Sequence, residues 1–155
     1  MIHYFLDSSA VVKRYLSEVG KDWVRALCDP ASGNTIIVAS VTMVEVAAAL
    51  AARHRASGGI EQRTRDNALT FFLQHFTDEY LVVDIDRAIL NRAMQLTLQH
   101  RLRGYDAIQL ASALSTSQAL QTSQLSDLTF VAADTNLLAA AVAEELLTHN
   151  PNLHI

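Results

Sequence analysis

Ile2-His3-Tyr4-Phe5-Leu6-Asp7-Ser8-Ser9-Ala10-Val11-Val12 is the stretch on which the fold of this 155-residue chain turns. Ile2 to Leu6 is an apolar run without strict alternation, as expected of a parallel strand covered on both faces. Asp7 ends the run, and helical spacing begins near Ser9. Three more runs of this kind follow at Thr35 to Ala39, Tyr80 to Val83 and Leu128 to Ala132. Segments with helical spacing begin near Lys21, Val41, Glu61, Asp86, Tyr105 and Asn136. Strand alternating with helix predicts an α/β sheet with right-handed crossovers.

Punctuation agrees with these boundaries. Pro30 with Ser32, Gly33 and Asn34 precedes the second strand, Gly58-Gly59 splits two helices, and Gly104 opens another. The segment from Ser112 to Ser126, rich in Ser, Thr and Gln, is expected to hold a helix end and a surface loop. With 50% hydrophobic residues, five Gly and two Pro, the chain has the composition of a compact protein. Its length suits one domain over residues 1–155.

The only cysteine, Cys28, can form neither an internal disulfide nor a cysteine metal cage, and reads as a small core residue on a helix. The N-terminal run is interrupted by Asp7 and carries no basic leader, and no later stretch approaches the roughly 20 apolar residues of a membrane span. A cytoplasmic protein that makes no use of a membrane is therefore expected. The net charge of −4 is the wrong sign for a protein that coats nucleic acid, so any contact with RNA must be local. Basic residues come in pairs, Lys13/Arg14, Arg53/Arg55, Arg63/Arg65 and Arg101/Arg103, a pattern that solvated helix faces also produce.

Four acids stand where chemistry is done in such folds. Asp7 directly follows the first strand, and open α/β sheets bind ligands outside the carboxyl ends of their strands. It also suits the N-cap of the next helix, and Ser8 and Ser9 add hydroxyls that serve either role. Glu45 lies in a segment otherwise almost free of charge, with Val41, Ala48, Ala49 and Ala52 as its helical neighbours. A charge on such a face needs a partner. The alternative is a capping box, Thr42-x-x-Glu45, which a helix starting at Ser40 would rule out. Asp106 opens the helix after Gly104, where it complements the helix dipole, and Asp134 closes the fourth strand, where turn chemistry is the plain account.

Arrangement separates these readings better than any single residue does. Asp7 and Asp134 follow strands, while Glu45 and Asp106 sit near helix starts that can open onto the same sheet edge. Carboxylates converging on one crevice repel one another and stay ionised when a divalent cation neutralises them. Oxygen ligands without a His or Cys cluster favour Mg²⁺ or Mn²⁺ over zinc, and phosphoryl chemistry is the implied reaction. The six histidines, His3, His54, His75, His100, His149 and His154, show no metal-binding spacing and are expected at the surface or at helix ends.

Four motifs in order, Phe5-Leu6-Asp7-Ser8-Ser9-Ala10-Val11-Val12-Lys13, Ser40 with Glu45, Leu102-Arg103-Gly104-Tyr105-Asp106-Ala107-Ile108-Gln109-Leu110-Ala111-Ser112-Ala113, and Val131-Ala132-Ala133-Asp134, resemble the PIN domains over nearly the whole chain. Within that family the likeness is to the VapC-like toxins of bacterial toxin–antitoxin pairs. The resemblance implies a three-layer fold, with a mostly parallel sheet of four or five strands flanked by about seven helices. It implies an endoribonuclease in which Asp7, Glu45, Asp106 and Asp134 ligate Mg²⁺ or Mn²⁺ directly or through water, supported by Ser8. Some relatives carry a further acid where this chain has Asn136, which leaves the number of metal ions open.

The resemblance further implies an inhibiting antitoxin and a homodimer, for which the helices carrying Val11, Val12, Trp23 and Leu27 offer apolar surface. Lys13, Arg14, Arg101 and Arg103 are the basic residues nearest the acids and the expected contacts for an RNA backbone. The competing readings are a non-catalytic PIN-like module for RNA binding or assembly, and another metal-dependent phosphoryl-transfer enzyme. A haloacid-dehalogenase-type phosphatase would want an aspartate where Ser9 stands, and a receiver domain a late lysine, whereas the lysines here are Lys13 and Lys21. No phosphate-cradling glycine loop is present.

Overall fold

The computed structural model describes residues 1–155. Five strands, β1 (His3–Leu6), β2 (Thr35–Ala39), β3 (Leu81–Val83), β4 (Leu128–Val131) and β5 (Leu147–His149), form one sheet in the order β3-β2-β1-β4-β5. Every pairing is parallel. Seven helices connect them: α1 (Ser8–Tyr15), α2 (Lys21–Leu27), α3 (Thr42–Arg55), α4 (Gln62–Asp78), α5 (Arg87–Gln99), α6 (Gly104–Thr122) and α7 (Thr135–Ala143). A parallel sheet of five strands with seven helices on its two faces is the three-layer α/β architecture that the resemblance implies.

The unbroken apolar runs have a direct structural cause. Successive strand residues point to opposite faces, and here both faces are covered. Phe5, Ile37 and Phe130 pack on one side against Ile89, Leu96, Leu110 and Leu137 of α5, α6 and α7. Leu6, Ile36, Val38 and Val131 pack on the other against Val11, Val24, Val46 and Phe72 of α1 to α4. Two cores thus share one sheet, and Phe5 stacks on Phe130 across the β1–β4 pair with ring centroids 5.9 Å apart.

Strand order positions the site. β1 lies between β2 and β4, and the chain leaves β1 into α1 on one face but leaves β4 into α7 on the other. Loops diverging from adjacent parallel strands open a crevice at their carboxyl ends. Asp7 and Asp134 lie there, and α3 and α6 begin at the same end of the sheet.

Several expectations need correction. β5 was not among the four apolar runs; it is three residues long, with Leu147 and His149 exposed, and pairing with β4 defines it as a strand. Val11, Val12 and Leu27 are core residues and cannot supply partner surface, while Trp23 is half-buried and stacks on His154 at 4.2 Å. His3 is buried in β1, with Nδ1 2.8 Å from Ser126 Oγ, rather than at the surface. The segment from Ser112 to Ser126 does hold a helix end and an exposed turn, as expected: α6 continues to Thr122, and the Ser112 hydroxyl donates to the Ile108 carbonyl. Cys28 is buried, but it caps the end of α2 rather than lying within it.

Phe130 is fully buried at the centre of its core. Phe130→Ala should therefore destabilise the protein by about 3–5 kcal/mol, the usual result of removing a buried aromatic side chain. A urea midpoint close to that of the wild type would show that the sheet does not rest on this contact.

Candidate active site

Four helix N-termini meet at the carboxyl end of the sheet, and each carries one of the four acids. Asp7 is the N-cap of α1, Asp134 is the N-cap of α7, and Glu45 and Asp106 lie in the first turns of α3 and α6. A helix N-terminus presents unpaired N–H groups and a partial positive charge, so each acid sits where its own helix stabilises it. For Asp7 and Asp134 the capping account and the clustering account are both true of the same side chain.

Asp7 is the most constrained, at 3% exposed. Its Oδ1 accepts hydrogen bonds from the Ala10 N–H (3.0 Å) and the Ser9 hydroxyl (2.6 Å). Ser9 Oγ in turn accepts from the Ala133 N–H at 3.0 Å, tying the end of β1 to the loop after β4. Ser9, rather than Ser8, is thus the hydroxyl that touches Asp7; Ser8 lines a neighbouring hollow of about 420 Å³. Burial pushes the Asp7 carboxyl up to about 7, against the bonds from Ser9 and Ala10, and the charges of Asp106 and Glu45 add to the rise.

Asp106 is raised too, by burial first and then by the charges of Asp134 and Glu45, with Arg103 opposing. The four carboxylates therefore share one electrostatic field. Asp134 is exposed and accepts from the Leu137 N–H at 2.9 Å. Glu45 forms no capping box: α3 begins at Thr42, and Glu45 Oε1 accepts instead from Gln109 Nε2 of α6 at 2.7 Å. Sequence reading gave Gln109 no part in the site, although it is an amide in an apolar stretch one helical turn beyond Asp106.

Asp106, Asp134 and Asn136 line a polar cleft of about 540 Å³ together with His100, Arg101 and Arg103. Arg101 and Arg103 are exposed there. Lys13 and Arg14 are used elsewhere. Lys13 is 5% exposed and donates to Glu18 (3.3 Å) and the Val19 carbonyl (2.9 Å). Arg14 donates to Glu79 (2.8 Å) and the Tyr80 hydroxyl (2.9 Å), and does not line the acidic cleft.

No three Asp, Glu, His or Cys side chains stand in ready coordination geometry; Asp106 and Asp134 border the open cleft, which Asp7 and Glu45 do not line, and the four acids form no closed cage. Such a donor set fits a hard cation that keeps several waters and takes one or two carboxylates, as Mg²⁺ does, better than a cation needing a full protein cage. The upward shifts of Asp7 and Asp106 point the same way, because part of each comes from like charge that a cation would relieve.

The PIN domain family model matches residues 4–143 of the chain. Among solved structures, FitAcB from Neisseria gonorrhoeae is similar at 15% identity and a TM-score of 0.66, over 98% of this chain and 99% of that one. VapBC2 from Rickettsia felis, bound to a DNA fragment from its promoter, follows at 14% identity and 0.64, over 96% and 98%. The sarcin–ricin loop cleaving toxin VapC20 of Mycobacterium tuberculosis is similar at 15% and 0.61, over 88% and 94%. No curated protein matches.

In metal-free protein, Asp7 has a pH signature. Its folded value of about 7 lies above the ordinary 3.8, so between these pH values the folded state holds a proton that the unfolded state has released. Stability should fall as pH rises through this window, and the loss should be complete above the folded value. Asp7→Asn should flatten that slope and raise stability at neutral pH. Denaturant melts in chelator at about pH 5 and about pH 8 measure it; equal slopes in both proteins would remove the buried charge as the cause.

Proposed function

The chain belongs to the PIN domain family, and we propose that it is a Mg²⁺- or Mn²⁺-dependent endoribonuclease acting as the toxin of a toxin–antitoxin pair. The observation that carries this reading is the buried Asp7 carboxylate, held at the end of the central strand within the field of Asp106 and Glu45 and beside a cleft with exposed arginines. A structural acid gains nothing from that company, since each neighbour of like sign makes its ionisation harder.

In this reading Asp7, Glu45, Asp106 and Asp134 hold the cation. When bound, Mg²⁺ or Mn²⁺ supplies Lewis-acid activation of water and neutralises charge developing on the phosphodiester. Ser9 and the Ala10 N–H keep Asp7 turned one way through Oδ1. Arg101 and Arg103 bind the RNA backbone at the cleft mouth, and Asn136 offers an uncharged donor beside Asp134. RNA in single strands or loops suits this site, because a splayed phosphodiester can reach Asp106 and Asp134 in the cleft. Lys13 and Arg14 drop out of the contact set, being paired within the protein.

The structural neighbours include toxin–antitoxin complexes, one of them from Klebsiella pneumoniae. A cognate antitoxin and a homodimer, in the cytoplasm, are therefore part of the proposal; no helix is long and apolar enough to cross a membrane. Expression without the antitoxin should arrest growth, and normal growth alongside soluble, active protein would remove the toxin role.

Incubating the purified chain with defined RNAs, with Mn²⁺, with Mg²⁺ and with chelator, tests the chemistry. Cleavage should need the cation, and Asp106→Asn should lower it by at least about 100-fold, the usual loss when one transition-state charge stabiliser is removed. Replacing Arg101 and Arg103 together with Ala should reduce the salt slope of single-strand binding by about 1.4, at about 0.7 per phosphate contact. Undiminished cleavage in chelator would end the metal-nuclease reading, and an unchanged slope would place both arginines off the RNA path.

A further inference from the structure

Gln109 is a buried amide with unequal ends. It is 1% exposed, and both of its N–H donors are engaged: Nε2 donates to Thr42 Oγ1 at 2.9 Å and to Glu45 Oε1 at 2.7 Å. Its carbonyl Oε1 is buried without a hydrogen-bond partner. Native cores seldom leave a polar atom unsatisfied, because its lost hydration is not replaced. A side chain kept for packing at this place would be better as Met or Leu, which fill similar space and bring no orphan oxygen.

The donor end has a plain purpose. Thr42 is fully buried at the first residue of α3, so it anchors the amide, and the remaining N–H then fixes one oxygen of Glu45. Glu45 is long and only half-buried, and without that bond it would lose rotamer freedom on taking a ligand. With Oε1 spent on Gln109, Oε2 is left as the donor oxygen. Gln109 lies three residues beyond Asp106 on α6, a spacing that puts both on one side of the helix. One helix thereby supplies one acid and orients another that comes from α3.

We propose that Gln109 is a positioning residue, whose amide holds the Glu45 carboxylate in place for a divalent cation. This rests on the metal-nuclease reading above and goes beyond it by assigning the outer group that orients a ligating carboxylate. Removing such partners typically weakens metal affinity or activity 10- to 100-fold.

The test is Mn²⁺ binding to the full chain without RNA, measured by calorimetry for the wild type, Gln109→Met, Glu45→Gln and the double variant. Gln109→Met should weaken Mn²⁺ binding about 10- to 100-fold. In the Glu45→Gln background the same change should add nothing, because its effect runs through Glu45. Cleavage by Gln109→Met should recover towards the wild type as Mn²⁺ is raised, so the defect lies in metal affinity rather than in turnover at saturation. If Gln109→Met does not fold, Gln109→Met with Thr42→Val leaves neither buried partner unpaired and reads the same coupling. Wild-type affinity in the variant, or a loss that adds fully to that of Glu45→Gln, overturns the proposal while leaving the nuclease reading intact. A wild-type chain that neither binds Mn²⁺ nor cleaves RNA overturns both.

Discussion

Burial of the Asp7 carboxylate at the end of the central strand is the constraint to which the rest of the site answers. Water is largely excluded from it, and Asp106 and Glu45 add like charge nearby. Two hydrogen bonds onto one oxygen and the N-terminus of α1 offset part of this, but the carboxyl still rises to about 7. The fold thus holds an unfavourable charge in place by surrounding it with structure that cannot easily move away. The cap on α1 accounts for Asp7 as an N-terminal acid, but not for the like charge of Asp106 and Glu45 set around it.

The restraint comes from the sheet. β1 and β4 pair in parallel, the Asp7 N–H donates to the Val131 carbonyl at 3.1 Å, and Ser9 receives the Ala133 N–H. The crevice formed where the chain departs to opposite faces is therefore stitched across its floor by hydrogen bonds. Helices α3 and α6 close it from either side, and the bonds from Gln109 to Thr42 and Glu45 join them. Groups carried on strands and helix starts hold their geometry better than groups on long loops.

Charge is distributed to suit a local rather than a general contact. The chain is acidic overall, and several arginines are engaged in ion pairs, Arg14 with Glu79, Arg53 with Glu18, Arg65 with Asp66 and Arg92 with Glu144. Exposed pairs of this sort contribute little to stability, but they neutralise cations that would otherwise attract polyanions indiscriminately. Arg101 and Arg103 take part in no such pair and stand exposed at the acidic cleft. Arg25, Arg55, Arg63 and Arg87 are exposed and outside these pairs as well, so what sets Arg101 and Arg103 apart is their place beside Asp106 and Asp134.

Local pattern was enough for four of the five strands and for the seven helices. Continuous apolar runs required a sheet covered on both faces, helical spacing placed the helix starts within one residue, and the positions of Asp7, Glu45, Asp106 and Asp134 after strands or at helix starts marked one end of the sheet. These features depend on backbone period and burial, which neighbouring residues encode. Tertiary structure decided whatever depended on a distant partner. β5 has no apolar run of its own and exists through β4; Lys13 and Arg14 looked free until Glu18 and Glu79 met them; Ser9 rather than Ser8 reaches Asp7 because Ala133 holds it there. Gln109 reads as one of several polar residues along α6, and its place beside Glu45 arises from packing residues 64 apart in sequence. The pairing of polar groups is a property of the folded surface they share, and no local period records it.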